Sequence, residues 1–169
     1  SALSVLLALV VPETRRPPQR PSLRGIGRLI TRRPVWLPSA LNAVGQYVIW
    51  AAPLGFVPIL ARQLGATDTT QSLLLSLNLG MFVAGNLLAT AVSGRVRSRH
   101  LVIMSFVLLF AGVGAIAVAK ALPALFVGET LLGASQGIGY PVLMGLSIEH
   151  VKSDERTTAM GLHQAVYAL

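Results

Sequence analysis

Residues 121–148 read ALPALFVGETLLGASQGIGYPVLMGLSI, and the only charge among these 28 residues is Glu129. A helix rises about 1.5 Å per residue, so about 20 apolar residues cross a hydrocarbon core of about 30 Å. This stretch is long enough to do so. Three others precede it: residues 34–61, 69–94 and 101–119 contain no charged residue and no His, over 28, 26 and 19 positions. The water-soluble alternative is a bundle of buried helices with no charged outer face, which a chain of 169 residues cannot cover.

Composition agrees. The chain is 53% hydrophobic and 12% charged, with a mean hydropathy of +0.67, against about 25% charged in a soluble domain. Cys is absent, which excludes disulfide frameworks, Cys-ligated zinc and iron–sulfur sites. The net charge of +8 comes from 14 Lys and Arg against 6 Asp and Glu, a balance that could suggest nucleic acid. Placement excludes that partner, because the basic residues sit at helix ends and do not line one face.

The loops alternate in charge. Five polar breaks separate the apolar runs. The first holds Arg15, Arg16, Arg20, Arg24, Arg28, Arg32 and Arg33; the third Arg95, Arg97 and Arg99; the fifth Lys152 and Arg156. The second and fourth hold one basic residue each, Arg62 and Lys120. Basic residues resist translocation, so residues 13–34, 94–100 and 149–156 are expected on the cytoplasmic side of the cell (inner or plasma) membrane. Pro12, Pro17, Pro18, Pro21 and Pro34 keep most of the first break irregular. Within it, Ser22 can cap a short interfacial helix with Leu23, Ile26, Leu29 and Ile30 on one face. Arg24, Arg28 and Arg32 would then meet anionic headgroups. A plain linker is the alternative, since Gly25 and Gly27 weaken the helix.

The ends suggest a piece of a longer polytopic chain. Residues 1–12 form an apolar stub too short to span, without the basic start and cleavage site of a signal peptide. Residues 157–169 contain no Asp, Glu, Lys or Arg and stop in mid-pattern. The expected organisation is the end of a transmembrane helix over 1–12, a basic cytoplasmic linker over 13–34 and a truncated bundle over 35–169. The fold class is all-α integral membrane, a polytopic bundle fragment with four complete and two partial helices.

Polar side chains sort the helices. The first span, about Val35–Ala61, carries Asn42 and Gln46 on one face, with Pro53 and Pro58 to bend it. The second, about Ser72–Ser93, carries Asn78 and Asn86. The third, Leu101–Ala119, has little beyond Ser105, and the fourth, about Leu122–Ile148, carries Glu129, Gln136 and Tyr140. Polar groups are costly in hydrocarbon and turn toward protein or a wet cavity. The first, second and fourth helices should therefore face inward and the third should face lipid. In the fourth, Glu129, Gly133, Gln136 and Tyr140 share one face, and Gly133 and Gly137 stand at the spacing of close helix packing. Pro141 and its neighbouring glycines predict a bend or local unwinding. Glu129 reads as a proton- or cation-responsive carboxyl, or as a structural one bonded to the next helix. Asn42, Gln46, Asn78 and His163 read as substrate contacts or interhelical bonds.

Two motif matches lack their structural context. Gly133-Ala134-Ser135-Gln136-Gly137 spells G-x-S-x-G with Asp154 and His163 following, but a nucleophile elbow needs a strand before the Ser. An intramembrane protease would need only Ser135 and His163, yet Gln164, Ala165 and Val166 do not continue that family's pattern. Gly137-Ile138-Gly139 and Gly25-Ile26-Gly27 follow no strand and are not nucleotide loops. No cofactor is expected, and no ATP site.

Taken together, the chain resembles the second half of the major facilitator superfamily, over its whole length. Val11-Pro12-Glu13-Thr14-Arg15 is similar to the end of helix 6, and the basic, Pro-rich break to the linker between the two halves. Phe56-Val57-Pro58 and Gln63-Leu64-Gly65-Ala66 resemble the exit of helix 7 and the turn before helix 8. Val92 to Arg99 resembles the loop signature G-x-L-A-D-R-x-G-R-R, with Gly94 in place of Asp, Arg97 in place of Gly and Thr90 at the leading Gly. Glu129 to Gly139 resembles helix 10. Arg156 to Gly161, followed by His163, Gln164 and Tyr167, resembles the start of helix 11. The resemblance implies a secondary transporter that works by alternating access. Its partners would be a small organic substrate, a proton or other coupling ion, the lipid bilayer and the N-terminal half of the same chain. Efflux is the expected direction, with uptake of a sugar or organic acid as the alternative; a non-transport scaffold is a further reading. Glu129 would couple protons, and Asn42, Gln46, Asn78, Gln136, Tyr140, His163 and Gln164 would contact substrate. Gly94, Arg95, Arg97 and Arg99 would form the gating loop.

The chain's lack of Cys gives a clean background for a first test. Cysteines introduced at positions 42, 46, 129 and 136 should react with water-borne thiol reagents, while those along Leu101–Ala119 stay protected. The reverse pattern would remove the shared aqueous path.

Overall fold

The computed structural model describes residues 27–29, 31–153 and 155–167. The readings for residues 1–12 and for Leu23, Ile26 and Ile30 lie outside them. From Arg33 onward the described residues form α1 (Arg33–Ile49), α2 (Val57–Gln63), α3 (Asp68–Val92), α4 (Ser98–Ala117), α5 (Leu122–Glu149) and α6 (Arg156–Tyr167). Between α1 and α2 the chain continues as a π-helix, Trp50–Phe56, so Arg33–Gln63 is one rod. Among the described residues, four helices are long and apolar enough to cross a membrane: Arg33–Gln63, Asp68–Val92, Ser98–Ala117 and Leu122–Glu149.

Local chemistry sets the ends. Pro34 and Pro123 occupy the first turns of α1 and α5, where a missing N–H costs nothing. Gly65, at φ +83°, ends α2: its N–H bonds the Arg62 carbonyl at 3.0 Å, and the Ala66 N–H bonds the Ala61 carbonyl at 2.9 Å. That left-handed turn suits a residue without a side chain. The Thr67 hydroxyl then accepts the Thr70 N–H at 3.2 Å, and Asp68 sits in the first turn of α3, where a negative charge favours a helix start.

The prolines behave differently from one another. Pro53 and Pro58 fall in and just after the π-helix, where the Val57 N–H reaches back to the Ala52 carbonyl. Two donors are missing within six residues, and the wider turn accommodates the loss. Pro141, by contrast, sits inside a continuous α-helix, so the unwinding predicted there does not occur. The crowding it would cause falls on the Gly137 carbonyl one turn back, and glycines at 137 and 139 leave room for it.

Helix α5 is the axis of the bundle. Helices α3 and α4 pack along it, α1 crosses it, and α6 lies on α1. Glycines bring the backbones together. A Cβ on Gly133 would collide with the Asn78 carbonyl of α3, and one on Gly137 with the Phe82 carbonyl. On the α4 side, a Cβ on Gly112 would lie 3.1 Å from the Gly128 oxygen, and one on Gly128 would lie 3.2 Å from the Gly112 oxygen. Helix α4 buries one stripe, Leu101, Ser105, Leu109, Gly112 and Ile116, and leaves Ile103, Val107 and Phe110 exposed. It is exposed around most of its girth.

Polarity is inverted relative to a soluble protein. The exposed surface carries Leu79, Val83, Leu87, Val107 and Phe110, while Asn42, Asn78, Glu129 and His163 are buried. This arrangement is stable only where the surroundings are apolar. Gly137→Leu should lower stability by about 1–3 kcal/mol or block assembly of α3 on α5, read as a fall in Tm in detergent. Gly80→Ala, where an added Cβ meets nothing within 4 Å, should leave Tm unchanged or raise it.

Candidate functional site

Among the described residues, two cavities carry polar side chains on their walls. The first is enclosed by α1, α4 and α5, with Asn42 and Gln46 on one wall, Ser105 on a second and Ser135, Gln136 and Tyr140 on the third. Its volume is about 30 Å³, room for one or two waters at about 15 Å³ each. Gln136 donates from Nε2 to Oε1 of Gln46 at 3.3 Å, bridging α5 and α1. Asn42, Gln46, Gln136 and Tyr140 therefore line one cavity.

Next to this cavity, His163 is fully buried between α6 and α1. Its Nδ1 lies 2.9 Å from the Ser39 hydroxyl and its Nε2 lies 3.2 Å from the Asn42 amide nitrogen. The single Ser39 proton goes to the Val35 carbonyl at 2.8 Å. The Ser39 oxygen must then accept from Nδ1–H, and Nε2 accepts from Asn42, which assigns the neutral Nδ1–H tautomer. Both ring nitrogens thus serve the α1–α6 joint. Ser135, the Ser of the G-x-S-x-G match, sits mid-helix on the first cavity, and Asp154 lies outside the described residues.

The second cavity lies toward the end of the bundle that carries the 64–67 and 118–121 turns. Its walls come from the π-helix and α2, the start of α3, and α5, and it encloses about 230 Å³. Glu129 lines it and is 1% exposed, with both carboxyl oxygens buried and without a hydrogen-bond partner. Gln71 also lines it, with its amide nitrogen buried and unpartnered. Asn78 donates to the Glu129 backbone carbonyl at 3.2 Å and so ties α3 to α5. Glu129 and Gln136 share a face of α5 but open into different cavities. They are seven residues, about 10 Å, apart along the axis, and the neighbouring helix changes over that distance.

The other expected residues are peripheral. Gln164 is exposed. Gly94 adopts φ +87° in an exposed turn, with Arg95 donating to the Ala91 carbonyl at 3.3 Å. Among the described residues no ion pair joins Arg95, Arg97 or Arg99 to an acid. Arg28 pairs with Glu155, and Leu29 is buried in a cluster with Val35, Val151 and Ala159. This part of the first break therefore packs on the protein. Sequence reasoning missed Ser39 and Gln71. Ser39 was within reach, since 39, 42 and 46 share a helical face; Gln71 carries no local signal.

Comparison with known proteins bears on the whole bundle. A family model described as Major Facilitator Superfamily matches residues 39–169. No curated protein and no solved structure matches the chain.

The joint between α1 and α6 gives a quantitative test. A double-mutant cycle of Asn42→Ala and His163→Ala, followed by unfolding in detergent, should show a coupling of about 0.6–1.7 kcal/mol, the range of interhelical hydrogen bonds in membranes. Additive effects would dissociate the two side chains.

Proposed function

The chain belongs to the major facilitator superfamily, and we propose that it carries small organic molecules outward in exchange for protons, by alternating access. Membership supports a secondary transporter in a lipid bilayer; the coupling, direction and residue roles are the proposal. One observation carries it: Glu129, buried within a spanning helix, has no hydrogen-bond partner for either carboxyl oxygen. A carboxyl so placed is costly as a fixed structural charge. It suits a group that gains and loses a proton as the cavity changes access. Asn42, Gln46, Gln136 and Tyr140 are the proposed substrate contacts, because they line one cavity. Asn78 and His163 support the site by holding α3 on α5 and α6 on α1. The sparse amides among apolar walls favour an organic substrate of low polarity over a sugar.

Glu129→Gln in the intact protein should abolish gradient-driven accumulation in proteoliposomes while energy-independent substrate exchange persists and Tm holds. Unchanged pH dependence of transport would overturn the proton role.

A further inference from the structure

The second cavity has the chemistry of a binding site in its own right. Its two unsatisfied polar groups are complementary in kind: a carboxyl that accepts and an amide nitrogen that donates. Apart from Ser72, the rest of the wall is apolar and includes Val57, Pro58 and Leu74. Leu54 and Leu75 border the cavity and are both exposed, so its rim is apolar and open.

These features select a ligand class. A metal ion would seek about six oxygen ligands, and the side chains here offer little beyond the carboxyl, Gln71 and Ser72. A permanent apolar guest would leave Glu129 and Gln71 unsatisfied. The volume of about 230 Å³ exceeds the apolar cavity of about 150 Å³ that takes up benzene, leaving space for a short polar arm. We propose that this cavity binds a small amphiphilic amine, its ammonium on the Glu129 carboxylate and a hydrogen-bond acceptor of the ligand on Gln71. The inference rests on the transporter reading only for its consequence, that a bound amine would hold the carboxyl against the proton; the binding itself does not need it.

The test is binding without a gradient, on the intact protein in lipid nanodiscs, with phenylethanolamine, phenethylamine and neutral phenethyl alcohol as probes. Phenylethanolamine should bind tightest and the alcohol weakest. Glu129→Gln should weaken the amines at least about 30-fold, the effect of removing one partner of a buried charge pair. Gln71→Leu should erase the advantage of phenylethanolamine over phenethylamine, about fivefold for one neutral hydrogen bond. Leu75→Trp, placed at the exposed rim, should block all three probes while Tm holds. Equal binding of amine and alcohol, no binding of any probe, or a change under about twofold in Glu129→Gln would overturn the site. If Glu129→Gln does not fold, the amine–alcohol comparison and Leu75→Trp decide. Should the binding pattern hold while Glu129→Gln transports with unaltered pH dependence, the proton role fails and the amine site stands.

Discussion

The bundle depends on backbone meeting backbone along α5. Gly133 and Gly137 lie against the carbonyls of Asn78 and Phe82 on one side, and Gly128 faces Gly112 on the other. In lipid there is no hydrophobic force between helices, so close dispersion contact has to supply the attraction. A side chain at any of these positions would push two rods apart. Because α1, α3 and α4 all pack on α5, their separation would open both cavities at once. The same contacts fix Asn78 under Glu129 and set Gln136 within reach of Gln46.

The second constraint is the cost of polarity inside this apolar shell. Most buried polar groups are matched: Ser39, Asn42 and His163 form a closed network across α1 and α6, and Asn78 serves a backbone carbonyl. Matched groups of this kind hold helices together. Glu129 and Gln71 stand apart because they are buried and unmatched. Among the described residues within the spanning helices, these two unmet groups border one cavity, and that cavity adjoins the least regular turn of the bundle.

Much of the fold was legible because the bilayer imposes a length. Charge-free runs located all four spans, and the boundaries moved by only a few residues. The largest shift was at α3, which begins at Asp68 where hydropathy suggested Ser72. Its first turn is polar and capped by Thr67, so it lies beyond the apolar signal. The site was legible in part. Periodicity gathers Asn42 with Gln46 and Gln136 with Tyr140, but it cannot say which helix each face meets. That is why Glu129 and Gln136 were read as one surface and prove to border two cavities. The roles of Pro53 and Pro141 could not be separated from sequence either. The difference lies in their neighbours: two glycines in the turn before Pro141, and a second proline in the turn after Pro53.

The π-helix carries a further consequence for this architecture. Buried positions along the first span run 39, 42, 46 and 49, then 53, 57 and 61, so the repeat lengthens where the coil widens. The segment works as a vernier, setting the azimuth of one half-rod against the other. Loss of a single residue between Trp50 and Phe56 would turn everything beyond it by roughly 100°. Val57 and Ala61 would swing outward, while Asn42 and Gln46 would keep their bearing. Chain length within this turn can therefore reshape the second chamber while the residues of the first keep their places.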